Sequence, residues 1–133
     1  MKGAIAALFA ILLLVAGPVL ADEMVIEQLR LQVPADQREI WLEAERQTWQ
    51  PWLERQSGFL GRDLFWDPDR DEGLLLIRWA SREQWKSISP RTVQQVQDQF
   101  DAITNKALGR PKDAGSAFPL LAEGELRPQN LKG

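Results

Sequence analysis

The chain has no cysteine and no histidine. Those two absences exclude disulfides, zinc sites, iron–sulfur clusters, histidine-ligated haem and any mechanism built on a Ser-His or Cys-His pair. Charge of one sign is also lacking: 16 Lys+Arg stand against 19 Asp+Glu in 133 residues, a formal net charge of −3. Nothing in that balance attracts nucleic acid. No internal repeat or low-complexity tract is present. What the chain does hold in excess is tryptophan, six residues of it.

Met1-Lys2-Gly3 is a short positive start, and Ala4 to Val15 is an uncharged apolar run. Gly17-Pro18 then breaks any helix, and Val19 and Ala21 supply small residues at −3 and −1 of a cleavage site. Residues 1–21 therefore read as a secretory signal peptide. The apolar stretch is marginal for spanning a bilayer, which takes about 20 residues. Membrane attachment is expected only through this leader, if it stays uncleaved. The exported compartment would be periplasm, thylakoid lumen or the cell exterior. Residues 22–127 are expected to form one domain, large enough for a core without staples, with 128–133 a polar tail.

Within the domain, residues 24–33, MVIEQLRLQV, stop at Pro34 and read as a strand, with Val25, Glu27, Leu29, Leu31 and Val33 on one side. Ile26, Gln28, Arg30 and Gln32 take the other side. Asp36 and Glu39 suggest a capping box opening a helix that Pro51 kinks or restarts. Residues 59–66 and 74–80 are two strands joined by the turn-rich DPDRDEG. Ser81 with Gln84 caps a short helix, and Ser89-Pro90 opens a long one with Val93, Val96, Phe100 and Ile103 along one stripe. Residues 118–127 give a last, weaker strand. This order predicts an α+β fold: a ferredoxin-like βαββαβ sandwich with a four-stranded antiparallel sheet and both helices on one face.

Leu74-Leu75-Leu76-Ile77 does not alternate, so both faces of that strand call for burial. Two helices cover only one face. The other would expose Leu74, Leu76, Ile26 and either Leu60 and Leu64 or their alternates, a patch unusual on a monomer. A second copy packed sheet to sheet is the simplest cover, which predicts a homodimer.

With this layout, VIEQLRLQVP, QSGFLGRDLF and LLIRWASREQW resemble the antibiotic-biosynthesis-monooxygenase (ABM) branch of the dimeric α+β barrel superfamily, over about 25–127. More narrowly, the chain is similar to a group of small cyanobacterial proteins without established activity. The resemblance implies a ferredoxin-like protomer whose sheets meet in a dimeric α+β barrel, and a cleft between helices and sheet. Haem-degrading relatives use a first-strand Asn, a Trp ending the third strand and a His on the last long helix. Trp79 matches the Trp, Gln28 falls roughly at the Asn, and the His has no counterpart, so no axial ligand remains.

The candidate site residues follow. On one helix, Trp41 and Trp52 fall within about 20° of each other and Trp49 about 80° away, if Pro51 does not shift the phase. They form either a core stripe or a pocket of flat rings; Trp66 and Trp79 are better pocket candidates, and Trp85 could pack across a dimer. Glu45 lies between Trp41 and Trp49, and either pairs with an Arg such as Arg38 or serves as a base. Glu27 raises the same question. Arg30, Arg62 and Arg78 could share a face with Gln28 as donors to a carboxylate or enolate, or could form cross-strand ion pairs. Asp67–Glu72 begins like a calcium loop but lacks Gly at the sixth position and Glu at the twelfth, and reads as a solvated turn.

The sequence thus points to an exported homodimer binding a small apolar or aromatic molecule, with Gln28, Trp41, Trp66, Arg78 and Trp79 as ligand contacts and Glu45 as the catalytic candidate. No cofactor and no metal are expected. Two alternatives are a cofactor-independent monooxygenase acting on a phenolic or quinone-like substrate, and a non-catalytic structural or assembly protein.

Overall fold

The computed structural model describes residues 23–132; the expected signal peptide, 1–21, lies outside them. The described residues form four strands and four α-helices. β1 (Val25–Gln32) leads through a 3-10 turn (Ala35–Gln37) to α1 (Arg38–Gln47) and α2 (Trp49–Glu54). The hairpin β2 (Phe59–Asp67) and β3 (Glu72–Trp79) follows, then α3 (Arg82–Lys86), α4 (Pro90–Ala107) and β4 (Leu120–Leu126). The sheet order is β2-β3-β1-β4, and every pairing is antiparallel. This is the ferredoxin-like sandwich that the element order predicts. Among the described residues, no helix is long and apolar enough to cross a membrane.

The caps explain the helix starts. Ser81 accepts from the Gln84 backbone N–H at 3.1 Å, and Ser89 from the Arg91 N–H at 3.2 Å with Pro90 just behind it. Asp36 makes no such bond; the chain enters α1 through the 3-10 turn instead. The break between α1 and α2 falls at Thr48, three residues ahead of Pro51. Proline has no N–H to bond the Gln47 carbonyl, and its ring crowds that oxygen, so the helix fails one turn upstream. Pro51 then sits within the first turn of α2, where a missing N–H costs nothing.

Strand alternation sorts the core. Val25 of β1, Val33 just after it, and Gly73, Leu75, Ile77 and Trp79 of β3 are buried beneath the helices. Trp41, Val33, Leu75, Phe100 and Phe118 form one apolar cluster; Val25, Leu53, Ile77 and Trp79 form a second. Gly73 lies against Trp41 and Val33 of the first. A Cβ there would lie 2.7 Å from Cζ2 of Trp41, so only glycine lets that indole lie on the strand.

β2 contains a bulge that changes its faces. Phe59 pairs with Trp79, but Gly61 pairs with Arg78, so the register shifts by one residue around Leu60. Gly61 has φ +130° and lies where a Cβ would meet Nη2 of Arg78 at 2.8 Å. Beyond the bulge Arg62, Leu64 and Trp66 point beneath the helices, while Asp63 and Phe65 point away. Arg62 therefore leaves the face occupied by Arg30, Arg78 and Gln28, which corrects the expectation that all four could line one surface. Leu64 likewise joins the helix side.

The uncovered face is apolar at its centre. Leu74, Leu76 and Ile26 are only half-buried there, Phe65 is 51% exposed, and Ala122 and Leu126 continue the face on β4.

Candidate functional site

A cavity of about 510 Å³ opens between the helix-covered face of the sheet and α2, α3 and α4. Its wall is mostly aliphatic and aromatic, including Trp49, Trp52, Trp79 and Trp85. Each indole arrives from a different local cause. Trp49 and Trp52 lie on the restarted helix α2 and pack edge to face with ring centroids 5.6 Å apart. Trp79 ends β3 on the covered face, 1% exposed, with Phe59 edge-on at 6.0 Å. Trp85 is set by the Ser81 cap, which starts α3 and turns it over the cavity mouth.

Three carboxylates line this cavity, Glu27 and Glu45 within it and Glu123 from β4. They differ in what holds them. Glu45 is bound by Arg62 at 2.6 Å, both side chains being 4% exposed. Arg62 is fixed in turn by Gln50 Oε1 at 2.7 Å. The partner of Glu45 is thus Arg62 and not Arg38, whose guanidinium lies over the Trp66 ring at 4.4 Å. Burial pushes the Glu45 carboxyl upward, and the Arg62 charge opposes that push. The Trp41 N–H lies near enough to favour the charged form, but closes no hydrogen bond and is left without a partner.

Glu27 has no such cation at contact. It accepts a hydrogen bond from Trp79 Nε1 at 3.1 Å and makes no ion pair with any described residue. Burial raises its pKa above the ordinary carboxylate value; the Trp79 bond and the more distant Lys86 charge lower it, and Glu123 raises it again. A carboxylate in that setting can accept a proton from a bound molecule or bind a donor on it.

The other sequence candidates are placed elsewhere. Trp41 is 1% exposed, wedged over Gly73 in the core. Trp66 donates to the Val33 carbonyl at 2.9 Å and does not line the cavity. Gln28 and Arg78 point to the uncovered face, where Arg78 pairs with Asp63 at 2.5 Å. The cavity therefore brings together Glu45 and Trp79 with Glu27, Trp49, Trp52 and Trp85, all weighed from the sequence, and adds Lys86. Glu27 was visible as a charge within the inward-facing set of β1. Lys86 gave no signal, because a lysine on a five-residue helix reads as solvated.

No group of three or more metal-binding side chains is gathered among the described residues.

Residues 24–89 match the family described as antibiotic biosynthesis monooxygenase. Solved structures share the fold. A candidate antibiotic biosynthesis monooxygenase from Bordetella bronchiseptica is 16% identical, with 81% of this chain and 99% of that one aligned at a TM-score of 0.56. A candidate monooxygenase from Shewanella loihica PV-4 is 17% identical, over 81% and 96% of the two chains, at 0.53. Another candidate antibiotic biosynthesis monooxygenase, from Nitrosomonas europaea, is 14% identical over 84% and 96%, at 0.52. No curated protein matches the sequence.

Proposed function

We propose that the chain, whose residues 24–89 match the antibiotic biosynthesis monooxygenase family, binds a small, largely apolar, ring-bearing molecule in the cavity between sheet and helices. The observation that carries this reading is the cavity itself: about 510 Å³, walled by four indoles and aliphatic side chains, with few polar groups. Those are the proportions of a small-molecule site. Flat rings stack or pack edge-on against indoles, and expelling water from such a wall supplies most of the affinity. Titrating the purified protein with polycyclic and monocyclic aromatic compounds, followed by tryptophan fluorescence, tests it. A saturable response with one ligand per chain is expected, weakened by Trp52→Ala. No saturable response across varied ring systems overturns the reading.

One observation favours a second reading, catalysis in the same cavity. Glu27 is a half-buried carboxylate without an ion-pair partner among the described residues, in a mostly apolar cleft, and suits the removal of a proton from a phenolic or quinone-like substrate. The resulting electron-rich anion would react with oxygen without a cofactor. Gln28 and Arg78 face away from the cavity, so stabilisation of that anion would fall to the Trp79 N–H. Oxygen consumption with an anthrone-type substrate, lost in Glu27→Gln, is the expected outcome. Oxygen uptake that survives Glu27→Gln excludes this role.

The working molecule in this proposal is an exported homodimer. The positive start, apolar run and small residues of 1–21 support export. The uncovered apolar face, centred on Leu74, Leu76 and Ile26, supports pairing of two sheets.

A further inference from the structure

The mouth of the cavity carries an imbalance of charge. Glu27 and Glu123 line it as carboxylates that form no ion pair with any described residue. Facing them is one cation, Lys86. Its ammonium does not reach a carboxylate at contact distance; it rests on the face of Trp85, 3.9 Å from the ring centroid. That is a cation–π contact between a flexible side chain and one of the cavity's own indoles. The Lys86 charge also works against the raised pKa of Glu27. The protein thus fills with a mobile side chain a position made of an indole face and nearby acidic groups. The remaining indoles, Trp49, Trp52 and Trp79, extend inward from it.

We infer that the cavity selects a molecule carrying a protonated amine on an apolar, ring-sized body, the ammonium displacing that of Lys86 beside Glu27 and Trp85. The inference rests on the small-molecule reading above and narrows it to a charge class. An ammonium satisfies the Glu27 carboxylate with a charge-assisted hydrogen bond in a low-dielectric wall, where such a bond is roughly twice as strong as a neutral one. The indole face then adds the attraction it now gives Lys86. A carboxylate in the same position would meet Glu27 and Glu123 as like charges. A neutral ring would fill the inner wall and leave the mouth as it is.

Three matched probes separate these cases: 1-naphthylmethylamine, 1-methylnaphthalene and 1-naphthoate, measured by calorimetry on the intact protein at neutral pH. The amine is expected to bind roughly tenfold more tightly than the hydrocarbon and to exceed the naphthoate by more. Glu27→Gln, which keeps an acceptor for Trp79, is expected to bring the amine down to the hydrocarbon's affinity. Lys86→Met is expected to strengthen amine binding severalfold, because the resident cation is gone. Binding of all three probes with equal affinity, or a preference for naphthoate, overturns the inference and leaves the small-molecule reading standing. Binding of none overturns both. An amine preference unchanged in Glu27→Gln and Lys86→Met also overturns the inference, since the selectivity would then arise away from this mouth.

Discussion

Arg62 and Asp63 are neighbours on β2, yet they face opposite sides of the sheet and live in different physical worlds. On the helix side, Arg62 pairs with Glu45, and both side chains are 4% exposed. On the other side, Asp63 pairs with Arg78, and the two are 54% and 34% exposed. The bonds are similar in length, 2.6 and 2.5 Å. Their energetics differ because the first pair has left water and the second has not. A desolvated pair is costly to create and more costly to break; an exposed one is screened and contributes little. The same contrast holds for apolar residues. Leu75 and Ile77 are sealed beneath helices, while Leu74 and Leu76 on the same strand are only half-buried.

Breaking the inner pair is expected to have the largest effect. Arg62→Ala strands the Glu45 carboxylate in a buried site and is expected to cost about 3–5 kcal/mol of unfolding free energy. Chemical denaturation checks it, and replacing both partners by apolar residues, Glu45→Leu with Arg62→Met, is expected to recover most of the loss. If Arg62→Ala alone proves harmless, the inner pair is not desolvated in solution.

The outer face is tested by placing a charge at its centre. Leu76→Arg is expected to leave the protomer folded and to abolish dimerisation, a penalty of about 2–5 kcal/mol for an unpaired charge in an interface. Analytical ultracentrifugation of wild type and variant reads this directly. A monomeric wild type at working concentrations would sink the dimer.

A smaller effect belongs to Glu27, one of the three carboxylates of the cavity. Burial holds Glu27 above the ordinary carboxylate value, so the folded state binds its proton more tightly than the unfolded state does. Its contribution is thus fully present at low pH and is lost as pH rises from that ordinary value through the raised one. Glu45 and Asp101 are shifted in the same direction, and the exposed Glu43 and Glu125 in the opposite one. Glu27→Gln is expected to flatten part of the decline in stability between mildly acidic and neutral pH, as measured by melting temperature against pH. A slope identical to wild type would show that Glu27 is not desolvated.

The smallest effect belongs to the exposed pair. In the Leu76→Arg background, where the face meets solvent, Arg78→Ala is expected to cost about 0–1 kcal/mol and to lose even that in high salt. Together with Arg62→Ala, it measures how far one sheet can separate two ion pairs that are adjacent along the chain.

Much of this architecture was legible in the residues. The order of strands and helices followed from period and punctuation, and the caps at Ser81 and Ser89 from their local hydrogen-bonding chemistry. The non-alternating Leu74–Ile77 run marked a strand apolar on both faces. All of these are short-range signals, set by what each residue does within a turn or a pleat. The candidate site was legible in part. Trp79 and the inward-facing Glu27 and Glu45 could be picked out, because a charge or ring at an inward position is a local anomaly.

What only the tertiary structure decided came from geometry that accumulates over distance. The bulge at Gly61 reverses every side chain after it, so Arg62 turns inward to Glu45 and Trp66 inward to Val33. The break at Thr48 shifts the phase of the first helix, sending Trp41 into the core and Trp49 and Trp52 to the cavity. The β1–β3 register sets Gln28 and Arg78 on the face away from the cavity. A one-residue slip in a strand or a broken turn in a helix is invisible to local propensity, yet it determines which side of the sheet a side chain serves.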